Sequence, residues 1–144
     1  LNIKDLFKKP FLSNSKQEGA FLFEGSSKEI GQKIERVVGE FLSKKSFEIL
    51  EYNYSVPQGE IDIVAKENQQ VVFIEVKASH EKTHSYFPEE KVSASKIKKL
   101  ALAADSWLQQ HPEIDNCRFD VISVIYHPQK GVKDLHHFKD AIEL

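Results

Sequence analysis

Two short apolar runs in this sequence carry charges that such runs ordinarily exclude. Gly59 to Ala65 reads Gly-Glu-Ile-Asp-Ile-Val-Ala and holds Asp62, while Val71 to Ser79 reads Val-Val-Phe-Ile-Glu-Val-Lys-Ala-Ser and holds Glu75 and Lys77. Runs rich in β-branched residues look like central strands, where a charge is expensive unless something offsets it. Glu67 to Gln70 separate the two runs, and a turn centred on Asn68-Gln69 makes paired residue numbers add to 137. Asp62 then faces Glu75, and Glu60 faces Lys77. Alternation along a strand sends Glu60, Asp62, Glu75 and Lys77 to one face, with opposed Cβ atoms ~4.5–5.5 Å apart, and leaves Ile61, Ile63, Ile74 and Val76 on the other.

Two facing carboxylates repel each other, and a bound cation would remove the repulsion. Oxygen ligands on a rigid hairpin suit Mg²⁺ or Mn²⁺, which keep several waters and take one or two carboxylates together with a substrate phosphate. A lysine beside them can position or help deprotonate an attacking water, or neutralise charge growing on a phosphorane-like transition state. Hydrolysis of a phosphodiester is the reaction this set suits. A solvated sheet edge with one Glu–Lys cross-strand pair has the same spacing, but the apolar flanks speak against it.

The elements that must position these groups are legible on either side. Ser26 and Glu29 are spaced as a capping box, and Ile30, Ile34, Val37, Val38, Phe41 and Leu42 recur at helical intervals. At about 100° per residue, Glu35 falls at the edge of that apolar arc, whereas Glu29 and Glu40 point away. Three strands follow, over Phe47–Tyr54, Glu60–Ala65 and Val71–Ala78, divided by Pro57-Gln58-Gly59 and by the turn above. A second helix runs from about Lys96 to Gln110, with Ser93 or Ser95 as its N-cap and His111-Pro112 as its stop. Ile97, Leu100, Ala101, Ala104, Trp107 and Leu108 share one face, which makes Trp107 a core residue. Arg118 to Tyr126 reads as a strand buried on both faces, Pro128 to Gly131 as a turn, and Val132 to Phe138 as a short final strand. The expected order is αβββαβ with a tail. Residues 1–25 read as an extension preceding a domain over 26–144.

At these residues the sequence resembles the YraN family of predicted PD-(D/E)XK endonucleases, over a span from about Ile30 to the C-terminus. The Gly59–Ala65 and Val71–Ser79 segments carry the resemblance, supported by Phe41-Leu42, Phe47 to Leu50, Pro88, Val92, Lys96, Arg118 to Val121 and His137 to Ala141. It implies an α/β, restriction endonuclease-like fold with a mixed central sheet flanked by helices, related to Holliday-junction resolvases. It puts metal-binding acids on Asp62 and Glu75, a third acid on Glu35 and the catalytic lysine on Lys77. The cofactor it implies is Mg²⁺ or Mn²⁺; it names no substrate, and the leading expectation is hydrolysis of DNA phosphodiester bonds, including those of branched or flapped forms. Dimer-forming relatives imply a homodimer by analogy only. The sequence departs from the pattern at Ile34, where glycine is usual, and at Ser79, Tyr52 and Ser55, where arginines are common. Fewer arginines mean a weaker hold on phosphate. A non-catalytic nucleic-acid-binding or protein-interaction domain on the same fold is therefore the competing expectation.

Lys91, Lys96, Lys98 and Lys99 gather around the start of the second helix, where cations oppose the helix dipole and a phosphate partner would reverse that penalty. They are the candidate nucleic-acid contacts, against the plainer reading of a solvated lysine face. Tyr86 and Phe87 in the preceding loop could stack on an unpaired base, although packing on the core suits them better. Asp120 reads as the ion-pair partner of Arg118 within the sheet. His136 and His137 point to opposite faces of a strand, which argues against a joint metal site.

Bulk properties set the limits. The 144 residues suit one domain, 40% are hydrophobic, and 29% are charged. The net charge of −2 offers no global attraction for phosphate, so any nucleic-acid contact has to be a local basic patch. Cys117 is the one cysteine, which excludes an internal disulfide and a cysteine-cluster zinc site. No apolar run approaches the ~20 residues of a membrane span, and no secretory pattern opens the chain, so the expected location is the cytoplasm.

Overall fold

The capping box expected at Ser26 closes in the computed structural model, which describes residues 23–81 and 92–143. The Ser26 hydroxyl accepts from the Glu29 N–H at 3.2 Å, and Glu29 Oε2 accepts from the Ser26 N–H at 2.8 Å. Helix α1 (Ser27–Lys44) follows, then β1 (Glu48–Val56), β2 (Gly59–Glu67) and β3 (Gln70–His80). Helix α2 (Ala94–Gln109) starts at Ser93, whose hydroxyl accepts from the Lys96 N–H, and leads to β4 (Cys117–His127) and β5 (Gly131–Phe138). The tail is thus a full eight-residue strand.

The five strands form one mixed sheet in the order β1-β2-β3-β4-β5. Only β3 and β4 run parallel; the other neighbours are antiparallel. Parallel neighbours need a long crossover, and α2 lies within it. The sheet separates two apolar layers. On one face α1 packs through Ile34, Val38, Phe41 and Leu42 against Ile63, Ala65, Val72, Ile74, Ile122 and Val124. On the other, α2 packs through Leu100, Ala103, Ala104 and Trp107 against Ile61, Val64, Val71, Phe73 and Val121. Both faces of β3 and β4 are therefore dry, as their unbroken apolar sequences require. Phe23, within the expected extension, belongs to the α1 layer: it is buried, its N–H donates to the Pro128 carbonyl, and its ring meets Tyr126 edge-on.

The hairpin register is the one the two-residue turn imposes, from Glu67↔Gln70 to Ile63↔Ile74. Beyond Ile63 the β2–β3 ladder stops, while β2 goes on pairing with β1 and β3 with β4. The sheet forks there, so Asp62 and Glu75, and Glu60 and Lys77, are not rungs of a ladder as expected. One face assignment also changes. Tyr52 and Ile63 sit in the α1 layer, but their neighbours two residues on, Tyr54 and Ile61, sit in the α2 layer. The β1–β2 ribbon turns over between these rungs, where Asn53 adopts the left-handed conformation with φ 52°, one that Asn tolerates better than most residues. Strict alternation misplaces Ile61 because it cannot register that half-turn.

Candidate functional site

The fork is where the chemistry-bearing residues meet. Asp62 reaches across it: its Oδ2 accepts the Val76 backbone N–H at 2.8 Å, so a side chain replaces the missing strand partner. Glu75, one residue before Val76, is buried with 4% of its surface exposed. Glu35 comes from the α1 layer, half-buried and directly after Ile34, which anchors the helix in the core. Lys77 and Lys96 close the site, with Lys77 Nζ at 3.7 Å and Lys96 Nζ at 3.4 Å from the same atom, Glu75 Oε1. Lys96 is brought there by α2. Gly59 lets the β1–β2 turn pass directly beneath that helix, since a Cβ at this position would overlap the Lys99 carbonyl oxygen.

The electrostatics are those of crowded acids. Burial, then the charge of Glu75, pushes Asp62 up from the ordinary carboxylate range to about 7, against the opposing pull of the Val76 N–H and Lys96. Glu35 is likewise raised to about 7, by burial and then by the charge of Asp62, with the Asn53 side chain pulling the other way. Among the described residues two buried side-chain oxygens lack a hydrogen-bond partner, Glu35 Oε2 and Glu75 Oε2. Buried polar atoms are almost always satisfied, and both exceptions fall in this one site. Oxygen donors without partners, raised carboxylates and no nitrogen or sulfur ligand together fit a hard divalent cation. Among the described residues no three His, Cys, Asp or Glu side chains are gathered closely enough to hold an ion alone. An ion here would lean on waters and a substrate oxygen, as Mg²⁺ commonly does.

Asp62, Glu75, Lys77 and Glu35 are thus brought together. Lys96, expected among phosphate contacts, belongs to the same group through Glu75. Lys98 and Lys99 are exposed on α2, and Lys99 shares a cleft with Lys96, Ser55 and Glu60. Lys91, Tyr86 and Phe87 lie outside the described residues. Asn53 was not among the expected site residues, although its place between Tyr52 and Tyr54 in a strand is a position where a turn-forming residue signals an irregularity.

Asp120 has the structural role expected of it. It is fully buried and accepts from Arg118 Nε at 3.0 Å, the Asp140 N–H at 2.8 Å and His137 Nε2 at 2.7 Å. His136 instead lies 3.4 Å from Asp134, so the adjacent histidines do serve opposite faces. Trp107 is core, and its indole N–H reaches Glu51 at 3.1 Å. Among the described residues no helix is long and apolar enough to cross a membrane.

Comparison with known proteins agrees with one family throughout. A UPF0102 protein of Chlorobium phaeobacteroides is 38% identical over 121 residues, covering 79% of this chain and 93% of that protein. One from Geobacter metallireducens is 35% identical over 121 residues, covering 82% of this chain and 95% of its own length. One from Francisella tularensis is 41% identical over 99 residues, covering 67% of this chain and 84% of its own. The model of the uncharacterised protein family UPF0102 matches residues 34–124, a span that opens beside Glu35 and contains Asp62, Glu75, Lys77 and Lys96. The chain belongs to that family.

Proposed function

We propose that this protein is a divalent-cation-dependent nuclease that hydrolyses phosphodiester bonds of DNA, including branched or flapped forms, in the manner of the PD-(D/E)XK endonucleases with which the YraN family is grouped. The observation that carries the reading is the pair of orphaned carboxylate oxygens, Glu35 Oε2 and Glu75 Oε2, in a sheet fork that also holds Asp62 and two lysines. Asp62, Glu75 and Glu35 would hold Mg²⁺ or Mn²⁺, which supplies Lewis acidity and lowers the pKa of water. The chain's own groups do the rest. The Val76 N–H fixes the Asp62 carboxylate in orientation. The Lys77 ammonium donates hydrogen bonds to an attacking water, or to a phosphate oxygen as its charge grows. Lys96 shares Glu75 Oε1 with Lys77 and helps to hold that carboxylate in place.

The test is cleavage of linear, flapped and four-way-junction DNA by the purified chain with Mg²⁺ or Mn²⁺, beside Asp62→Asn. Metal-dependent cleavage by the wild type that disappears in the variant is the expected result. Tyr52, Ser55 and Ser79, at positions where the resembled family commonly has arginine, and the net charge of −2 favour a second reading, a nucleic-acid-binding domain without turnover. Binding of all three substrates with no cleavage by the wild type would establish that reading instead.

A further inference from the structure

A second polar cleft, of about 340 Å³, opens between α1 and the outer strand β1, lined by Glu29, Gln32, Lys33, Arg36 and Asn53. Three observations tie it to the carboxylates. Arg36 directly follows Glu35 on α1. Asn53 lies in the cleft wall and also close enough to Glu35 to stabilise its ionised form. Glu35 in turn interacts with Asp62. The cleft thus adjoins the site through Asn53.

Its cation is pre-positioned. The Arg36 guanidinium carbon stands over the Tyr52 ring, 3.9 Å from its centre, and a guanidinium held on an aromatic face is pre-organised for two-pronged binding of a phosphate. Tyr52 is itself seated through Gly39, since its hydroxyl occupies the space a Cβ there would need. Among the described residues no carboxylate forms an ion pair with Arg36. Glu40 acts electrostatically on Tyr52, but it is not among the residues lining the cleft. The one acid in the lining, Glu29, has Oε2 engaged by the Ser26 N–H, while Lys33 is held at the rim by the Glu24 carbonyl at 3.0 Å. In a chain of net charge −2 this is a local cationic wall beside an acidic centre.

We infer that this cleft is a phosphate subsite, in which Arg36, stacked on Tyr52, grips a backbone phosphate of the nucleic acid next to the bond presented to Asp62 and Glu75. The inference rests on the phosphodiester reading above. With Lys96 and Lys99 lining the cleft on the α2 side, the substrate it implies is a polynucleotide held on both sides of the attacked bond.

The test is fluorescence anisotropy of a labelled DNA flap substrate with the full chain in EDTA, over a series of salt concentrations. Arg36→Ala is expected to weaken binding about 10-fold and to flatten the log–log salt slope by about 1. Arg36→Lys should fall between, and Tyr52→Leu should follow Arg36→Ala. Lys130→Ala, an exposed cation in the β4–β5 turn, should bind as the wild type does. An Arg36→Ala protein with wild-type affinity and slope overturns the subsite, while metal-dependent cleavage would still uphold the nuclease. A weakened Arg36→Ala protein whose parent cleaves nothing in Mg²⁺ or Mn²⁺ upholds the subsite and removes the nuclease. A wild type that does not bind the probe at all overturns the subsite.

Discussion

Asp62 Oδ2 accepts the Val76 N–H at 2.8 Å, one position beyond the last rung of the β2–β3 ladder at Ile63↔Ile74. A carboxylate that substitutes for a strand carbonyl keeps the fork from closing and holds itself beside Glu75. The same bond stabilises the charged form of an acid that burial and Glu75 otherwise push towards neutrality. The site is therefore under electrostatic strain, and relief of that strain is measurable.

The metal-free protein should lose stability as pH rises from about 4 to 7. Asp62 and Glu35 have folded values of about 7, above the ~4 of an unfolded carboxyl. Between those values the folded chain keeps protons that the unfolded chain releases, so the stability they contribute is complete below about 4 and lost as pH passes about 7. Thermal unfolding in EDTA should show this decline, Mn²⁺ should restore stability at pH 8 but scarcely at pH 5, and Asp62→Asn should flatten the profile. A profile that is flat in the wild type would mean these acids are ionised without strain.

Lys96→Met should destabilise the metal-free protein more than Lys77→Met. Both ammonium groups face Glu75 Oε1, but Lys96 is nearer, at 3.4 Å against 3.7 Å, and Glu75 is almost fully buried. Losing one partner of a buried charge is costly, and the remaining lysine limits the loss to about 1 kcal/mol. The double variant should lose more than the sum of the two, because it leaves Glu75 with neither cation. Urea denaturation of the four proteins gives the coupling, and strict additivity would show that the lysines do not share the carboxylate.

Gly59→Ala should act on the site at a distance. Its new Cβ would overlap the Lys99 carbonyl oxygen, a backbone atom that can move only with α2. Displacing the start of α2 draws Lys96 away from Glu75, at a cost of about 1–3 kcal/mol from overpacking alone. Metal affinity, read by titration with Mn²⁺, should change together with stability. Unchanged affinity at reduced stability would show that α2 moves as a body without disturbing Lys96.

Much of this arrangement was legible beforehand, for identifiable reasons. A two-residue turn at Asn68-Gln69 leaves one register, so Ile63↔Ile74 follows from numbering alone, and the helical period of Ile30 to Leu42 places Glu35 at the core edge. The fork escaped because it depends on which neighbour each strand keeps: β2 continues with β1 and β3 with β4, a choice set by packing on both faces. The turnover at Asn53 escaped because alternation assumes an unbroken extended backbone, and it moved Ile61 to the α2 layer. Lys96 was legible as a cation near the helix start, but its reach to Glu75 depends on how closely α2 approaches β2 over Gly59, a matter of three-dimensional contact.

Asp120→Asn should separate structure from chemistry. Asp120 is as buried as an acid can be, yet each of its oxygens is engaged: Oδ1 by Arg118 Nε and the Asp140 N–H, Oδ2 by His137 and Arg118 Nη2. Burial alone would raise its pKa, but the hydrogen bonds from His137, Arg118 and Asp140 outweigh it and hold the carboxyl below its usual range. Its contribution to stability is accordingly present above about pH 4 and lost as pH falls further, opposite in sign to that of Asp62. The amide leaves Arg118 and His137 facing a weaker acceptor, with one oxygen replaced by a donor, and should cost about 3 kcal/mol. Cleavage and Mn²⁺ binding at a temperature where the variant stays folded should be unchanged, because no Asp120 oxygen is left to serve a metal. The contrast with Glu75, whose Oε2 has no partner at all, is the physical distinction between an acid that holds the sheet and one available to a ligand. Loss of Mn²⁺ binding in folded Asp120→Asn would erase that distinction and extend the site through β4.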